Sequence, residues 1–125
     1  MLFKELLLVA SGSFLGGGFR YLVSRWVQSA TVLAFPFGTL SVNIIGCFLL
    51  GFLSGLPWTG TFMNPNTKLI LTTGFCGGFT TFSTFSLQSV RLLQSGNLWE
   101  AALYIIGTLV VCVAAAWLGY QLGKA

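Results

Sequence analysis

Charged residues are almost absent from the middle of this chain. None occurs from Trp26 to Thr67, and charged residues make up only 6% of the 125 residues, against 55% that are hydrophobic. A soluble domain carries about a quarter of its residues as charged side chains. The sequence therefore predicts an integral membrane protein, and it argues against a soluble domain of any kind.

The side chains needed for several kinds of catalysis are missing. The chain has no His and no Asp, and its carboxylates are Glu5 and Glu100. Paired-carboxylate hydrolysis, acid–base catalysis by His, and metal sites built from carboxylates or imidazoles therefore lack their residues. Cys47, Cys76 and Cys112 lie far apart in apolar sequence without a CxxC pattern, which is typical of buried cysteines. We expect a protein that is not an enzyme.

The basic residues give no sign of nucleic-acid binding. The net charge of +4 comes from six Lys and Arg residues, which are scattered along the chain and form no basic run. We therefore expect the partners to be the lipid bilayer and small ligands, not nucleic acid.

Charges and turn residues divide the apolar sequence into four spans. Pro36 and the segment Pro57–Asn66 supply the turn signals on either side of the second span. Because a membrane helix takes about 20 apolar residues, four helices and their connections use the whole chain. The predicted helices cover residues 5–27, 37–56, 67–94 and 99–123, in a single transmembrane domain of residues 1–125.

The basic residues are balanced between the two sides of such a four-span chain. The positive-inside rule needs an excess on one side to fix the orientation. The sequence therefore predicts insertion in both orientations, so that a chain can pair with an inverted copy. One side carries Lys4, Lys68 and Lys124, and the other carries Arg20, Arg25 and Arg91.

Glycines four residues apart occur in each of the four spans. This GxxxG spacing lets helix backbones approach closely. The sequence leaves open whether they join two subunits or pack helices within one. The pairs are Gly12/Gly16, Gly51/Gly55, Gly74/Gly78 and Gly119/Gly123.

The third span contains GFCGGFTTFSTFS, an unusual sequence for a membrane helix, from Gly74 to Ser86. Unpaired backbone carbonyls are costly in hydrocarbon, so a break is tolerable only where an ion or a polar cavity receives the freed groups. We expect a break at Gly77–Thr80, near the bilayer midplane, where the broken helices of transporters hold ions. The alternative is an intact helix whose hydroxyls bond back to its own carbonyls.

Phenylalanines recur through the same span at helical spacing. Phe75, Phe79, Phe82 and Phe85 form this pattern, which usually indicates packing. A phenyl edge, however, carries the positive part of the ring quadrupole. Such an edge can face an anion without the full positive charge that would trap it, so the pattern also fits an anion path.

Single polar residues in the other spans are further candidates for an ion path. Asn43, within GTLSVNIIG, offers two amide donors, and Thr39 lies one turn before it. Arg20 is expected near a membrane edge, where it either snorkels to the interface or attracts anions at a vestibule. One face of the last span also carries Tyr104, Thr108 and Cys112.

Together these features resemble the Fluc (CrcB) family of fluoride channels. The resemblance covers essentially the whole chain and rests on the four-span length, GTLSVN around Asn43, the position of Arg20 and the GFCGGFTTFSTFS run. It implies a fluoride-selective channel that passively exports fluoride across the cell inner membrane. It also implies an all-α fold with a broken third helix, assembled as an antiparallel, dual-topology homodimer with two pores.

The resemblance implies roles for particular residues. Phe82 and Phe85 would line the pore and Asn43 would face the ion path. A sodium ion that is not transported would be held by the backbone carbonyls of Gly77 and Thr80 from both subunits. The polar track of the family matches Thr39, Ser83 and Thr84.

Two positions depart from the family pattern. Gln88 stands where the polar track usually continues to a Glu, so a role that needs a negative charge is in doubt. Cys112 stands where Ser is common, and because a thiol is a weaker donor than a hydroxyl, one ion contact is expected to be softer.

Two other classes of protein share parts of this pattern. A small proton-coupled multidrug exporter is also a short, dual-topology dimer of four-helix chains, but it needs a carboxylate within the membrane. Glu5 and Glu100 both lie at predicted helix ends. A structural subunit of a larger membrane complex would have no use for a polar break at mid-membrane. The fluoride channel is therefore the favoured interpretation.

Overall fold

Helices form all the regular structure in the part of the chain that is described. The computed structural model describes residues 2–30, 35–60 and 63–124, and no strand occurs among them. The prediction of an all-α fold is confirmed for these residues. In chain order the elements are α1 (Leu2–Ser29), α2 (Phe37–Gly55), α3 (Pro65–Leu69), a π-helical segment (Ile70–Cys76), α4 (Gly77–Phe79), α5 (Ser83–Gln94) and α6 (Leu98–Lys124).

Three of these helices, α1, α2 and α6, are long and apolar enough to cross a membrane. The sequence predicts these helices over residues 5–27, 37–56 and 99–123. The observed ranges are Leu2–Ser29, Phe37–Gly55 and Leu98–Lys124. The fourth predicted helix, over residues 67–94, corresponds to the chain from α3 to α5. That part is helical on both sides of an interruption.

The interrupted helix has a well-defined start and end. Asn64 caps its beginning by accepting a hydrogen bond from the Thr67 N–H at 3.0 Å. Helical structure then continues through α3, the π-helical segment and α4. It stops where Thr80 takes extended angles (φ −84°, ψ 156°), and α5 begins at Ser83. The break therefore comprises residues 80–82.

The prediction that the break begins at Gly77 is wrong. Gly77 has helical angles (φ −63°, ψ −36°), and Gly78 packs so closely on α1 that a Cβ atom would overlap the backbone of Ser13. Gly78 therefore serves close helix packing. The helix ends at Thr80 because the Thr81 N–H donates to the side chain of Asn43. In a continuous helix this N–H would donate to the Gly77 carbonyl.

Close backbone contacts at glycines hold the helices together. Gly51 of α2 lies against the Ala116 carbonyl of α6, and Gly12 of α1 faces Gly74 of the π-helical segment. A side chain at any of these glycines would overlap the neighbouring backbone. Each of the four GxxxG pairs meets another helix of the same subunit in this way, so packing within one subunit is the alternative that the structure favours.

A small buried cluster joins α5 to α6 and lies next to the candidate site. Its members are Phe85 and Leu92 of α5 and Ala101 and Tyr104 of α6. Packing of these side chains fixes the position of α5 after the break. It thereby places the polar residues of the break beside α2 and α6.

Candidate functional site

The side chain of Asn43 holds the broken segment against α2. Its Nδ2 donates to the Thr81 carbonyl at 3.0 Å, and its Oδ1 accepts from the Thr81 N–H at 2.8 Å. Asn43 is buried, where polar groups need hydrogen-bond partners. One of the two N–H groups on Nδ2 remains for another partner.

A cavity of about 220 Å³ opens beside these two hydrogen bonds. We call it the inner cavity. It lies between α2, the break, α5 and α6, and none of the described residues that line it is charged. Its small volume and neutral walls fit a small ligand that is held by a few donors. The lining includes Asn43, Cys47, Phe82, Phe85, Thr108 and Cys112.

Thr108 lines the inner cavity and carries an unpaired hydroxyl. The residue is only 5% exposed, and its Oγ1 is buried without a hydrogen-bond partner among the described residues. Burying an unpaired polar group costs about 1–3 kcal/mol. A ligand that reached this hydroxyl and accepted a hydrogen bond from it would recover that cost.

Phe82 and Phe85 both line this cavity but differ in their exposure to solvent. Their ring centroids are 5.5 Å apart with the planes at 47°. Phe85 is 6% exposed, whereas Phe82 is 72% exposed. Phe75 and Phe79 form a separate stacked pair with centroids 5.8 Å apart. The break thus divides the four phenylalanines into two pairs, and only the second pair reaches the cavity.

Tyr104 packs between Phe85, which lines the inner cavity, and Gln88 of α5. Its buried ring lies 5.1 Å from the ring of Phe85, centroid to centroid. Its hydroxyl donates a hydrogen bond to Gln88 Oε1 at 3.1 Å and also contacts the side chain of Thr39. Gln88, Tyr104 and Phe85 therefore form a continuous line of contacts, with buried Thr39 beside it.

A larger cavity of about 690 Å³ lies at the Gln88 end of this line. We call it the outer cavity. Arg25 of α1 and Arg91 of α5 line it together with Gln88, and none of the described lining residues is acidic. Arg25 is oriented by a hydrogen bond from Nη1 to the Tyr21 hydroxyl at 3.1 Å. The outer cavity is therefore positively charged.

Three other residues predicted for the ion path line neither cavity. Thr84 Oγ1 is 3.3 Å from Thr81 Oγ1, and Ser83 Oγ is 3.4 Å from the same atom. These hydroxyls support the break and do not line either cavity. Arg20 is half-buried on α1 and also lines neither cavity, so the structure does not bring it to the other candidates.

The carbonyls of Gly77 and Thr80 lose the donors that a continuous helix would give them. In an α-helix these donors would be the N–H groups of Thr81 and Thr84. The Thr81 N–H donates to Asn43 Oδ1 instead, and the Thr84 N–H donates to Thr81 Oγ1 at 3.3 Å. Gly77 also lies at the exposed surface of the subunit. Both carbonyl oxygens are therefore suited to bind a cation.

Cys47, Arg25 and Arg91 line the cavities but are not predicted as site residues from the sequence. Cys47 lines the inner cavity one helical turn after Asn43, and this spacing is a signal that could have identified it. From the sequence, Arg25 and Arg91 are used only to count the basic residues on the two sides of the membrane. They are far apart in the chain, and only the fold brings them to one cavity.

Comparison with known proteins identifies relatives over nearly the whole chain. The family model for CrcB-like protein, Camphor Resistance (CrcB), matches residues 7–120. A protein named "Fluoride-specific ion channel FluC" from Chlorobium phaeobacteroides (strain BS1) is 43% identical, with 98% of this chain and 94% of the relative aligned. Proteins of the same name from Chlorobaculum tepidum and Agrobacterium fabrum are 44% and 46% identical. These alignments cover 99% and 94% of this chain and 98% and 94% of the relatives.

These matches agree with the helical structure described above. Three helices long and apolar enough to cross a membrane, in a chain with such relatives, make this a multi-pass protein of the cell membrane. The resemblance seen in the sequence is confirmed at the level of the family. By the match over residues 7–120, the chain belongs to the CrcB family.

Proposed function

We propose that the protein is a fluoride-selective channel through which fluoride leaves the cell passively. The observation that carries this proposal is a small, uncharged cavity lined by Asn43, Phe82 and Thr108, whose hydroxyl has no partner among the described residues. The identity of the ion comes from the relatives, which are named fluoride-specific ion channels and align over nearly the full chain.

Neutral donors suit fluoride better than a fixed positive charge does. Fluoride is small and strongly hydrated, so a pore must offer replacement donors without binding the ion too tightly for it to leave. The free N–H of Asn43 and the hydroxyl of Thr108 supply such donors. The ring edges of Phe82 and Phe85 add weak positive potential.

A passive pore is sufficient for fluoride resistance. Hydrogen fluoride crosses the bilayer in acid surroundings and dissociates in the less acidic cell. An electrical potential that is negative inside then favours exit of the anion by about 2.3 kcal/mol per 100 mV. No coupling reaction is needed, which agrees with relatives that are named as a channel and not as an enzyme.

The proposal includes four membrane spans and an antiparallel, dual-topology homodimer. The interrupted helix from α3 to α5 would form the remaining span. Phe82 is largely exposed although it lines the inner cavity, so a single subunit leaves this side of the path open. A second, inverted copy would cover it, and the equal number of basic residues on the two sides permits both orientations.

A sodium ion that is not transported would stabilise this dimer. The carbonyls of Gly77 and Thr80 have lost their helical donors, as described above. Two subunits would together provide four neutral oxygen ligands. Such ligands suit a monovalent cation, since calcium and magnesium favour carboxylates or retained waters. When bound, the ion would neutralise the carbonyl dipoles and hold the two breaks in register.

Fluoride efflux from liposomes tests the proposal directly. Purified protein in liposomes should release fluoride, measured with a fluoride electrode, and should release little chloride under the same conditions. Comparable chloride efflux would contradict selectivity, and absence of fluoride efflux would contradict the function. The exporter alternative is disfavoured because the only carboxylates, Glu5 and Glu100, lie in the first turns of α1 and α6.

A further inference from the structure

Cys47 of α2 and Cys112 of α6 lie side by side in the wall of the inner cavity. We call them the thiol pair. Both cysteines are free and half-buried, both line the cavity, and their side chains are in hydrogen-bond contact. A thiol is only a weak hydrogen-bond donor, so the pair adds little to the binding of fluoride. Two adjacent free thiols in a cavity are, however, suitable ligands for a soft metal ion.

The packing of α2 on α6 brings the thiol pair together. A side chain at Gly51 would overlap the carbonyl of Ala116, and a side chain at Gly55 would overlap the carbonyl of Tyr120. The two helices therefore run parallel in a single register. One helical turn earlier on both helices, the same register sets the thiol pair face to face. The two cysteines are far apart in the sequence, and only this packing makes them neighbours.

The composition of the site selects the kind of metal. Structural zinc takes four ligands, and calcium and magnesium take oxygen ligands. Among the residues that the structure describes, no group of three or more His, Cys, Asp or Glu side chains could hold a metal. Soft monovalent ions such as Cu(I) and Ag(I) bind sulfur and are satisfied by two ligands in a linear arrangement. The thiol pair therefore fits a soft monovalent ion.

The binding of such an ion leaves the uncharged cavity without net charge. Two bonds form between sulfur and the metal, one S–H bond breaks, and its proton leaves to water. The metal cation, one thiolate and one neutral thiol together carry no net charge. A neutral complex avoids the large free-energy cost of burying an unpaired charge.

We propose that the thiol pair binds one soft monovalent metal ion, Cu(I) or Ag(I), and that the bound ion blocks the inner cavity. The binding follows from sulfur chemistry and does not depend on what passes along the ion path. The block rests on the proposed channel function, because the metal would occupy the same cavity of about 220 Å³ that Asn43, Phe82 and Thr108 line.

The amount of bound silver tests the site without any measurement of activity. The full-length protein is mixed with silver nitrate in chloride-free buffer, because silver chloride is insoluble, and is then desalted. Wild type should retain about one silver ion per subunit, since one pair of sulfur ligands is present. The double variant Cys47→Ser/Cys112→Ser should retain none. Equal retention by this variant and wild type would overturn the site.

Fluoride efflux from liposomes tests the block. Silver nitrate should stop efflux through wild type, and each protein is compared with its own efflux before silver is added. Cys47→Ser and Cys112→Ser should each lose the block at a silver concentration that stops wild type, because one sulfur ligand is missing. Silver that is retained by the wild-type pair without any loss of efflux would overturn the block.

The matched control is Cys76→Ser, which removes the third thiol. Cys76 is buried and lines neither cavity, so this variant should retain silver and be blocked as wild type is. Loss of silver from Cys76→Ser would overturn the assignment to the thiol pair. Wild-type liposomes that release no fluoride before silver is added would contradict the proposed function, and the amount of bound silver would still decide the metal site.

Discussion

The side chain of Asn43 takes the place of backbone partners that Thr81 would have in a helix. Asn43 Nδ2 donates to the Thr81 carbonyl at 3.0 Å, and the Thr81 N–H donates to Asn43 Oδ1 at 2.8 Å. Because the Thr81 N–H is engaged there, it cannot serve the Gly77 carbonyl as it would in a continuous helix. One residue of α2 thus defines the break, lines the inner cavity and frees an oxygen that can bind a cation.

Replacement of Asn43 by Leu should abolish most fluoride efflux. The variant loses both hydrogen bonds to Thr81 and the second amide N–H of a residue that lines the inner cavity. Each group left unpaired costs about 1–3 kcal/mol. Liposome efflux and size-exclusion elution measure the two effects, and we expect efflux to fall more than assembly. Asn66→Leu in α3, on an exposed residue, is the control. Normal efflux from Asn43→Leu would remove Asn43 from the path.

Phe82 and Phe85 should act through their ring edges and not through their volume. Phe82→Ile and Phe85→Ile keep apolar bulk but remove the quadrupole. Fluoride efflux from either variant should drop sharply while the dimer elutes as wild type does. Phe14→Ile on the exposed face of α1 should change neither. If both cavity variants conduct normally, these rings only pack the site.

Thr108→Val should change stability and efflux in opposite directions. Valine has nearly the same shape but lacks the unpaired buried hydroxyl, so the variant should be more stable by up to about 1–3 kcal/mol. Its fluoride efflux should fall because a donor in the inner cavity is lost. Thermal unfolding in detergent and liposome efflux measure the two effects.

The control for this variant is Thr72→Val. The Thr72 hydroxyl is bonded to the Lys68 carbonyl at 2.6 Å, and Thr72 does not line either cavity. This variant should lose stability and keep its efflux. A Thr108→Val protein that is less stable than wild type would show that the hydroxyl has a partner.

If sodium holds the proposed dimer together, its removal should weaken both the assembly and the fluoride efflux. We expect fluoride efflux to fall when a large organic cation replaces sodium throughout, and to recover when sodium is returned. Because a ligand that binds only the folded state stabilises it by mass action, the melting temperature should also rise with sodium concentration. Full efflux and an unchanged melting temperature in sodium-free buffer would mean that the carbonyls of Gly77 and Thr80 have other partners.

The orientation of the chain in the membrane should be mixed. Reporter fusions at the C-terminus should give signal from both sides. Two additional Lys residues beside Lys68 should force a single orientation and abolish activity when that variant is expressed alone. Coexpression with a variant that carries extra Lys near Arg91 should restore it. A wild-type chain found in one orientation only would argue against the antiparallel dimer.

The sequence predicts that the third span is broken but not where the break begins. Glycines and hydroxyls between Gly74 and Ser86 signal the break, because they weaken a membrane helix locally. Its actual start at Thr80 depends on Asn43, which is distant in the chain and binds Thr81 only in the folded protein. Local sequence carries no information about that contact.

Periodicity likewise identifies the phenylalanines but not their grouping. A regular helix would place Phe75, Phe79, Phe82 and Phe85 along one face, and the break changes the direction of the chain between the second and the third. Most of the inner-cavity residues could be proposed from their resemblance to a known family. The arginine-lined outer cavity could not, since Arg25 and Arg91 meet only through the packing of separate helices.

The contact between Gly51 and the backbone of Ala116 has a consequence for motion in the site. Helices that meet backbone to backbone have no side chains between them whose rotamer changes would let them slide. This contact should limit changes in the separation between Asn43 on α2 and Thr108 on α6. We therefore expect the inner cavity to change its width mainly on the opposite side, at residues 80–82, where Phe82 lines it.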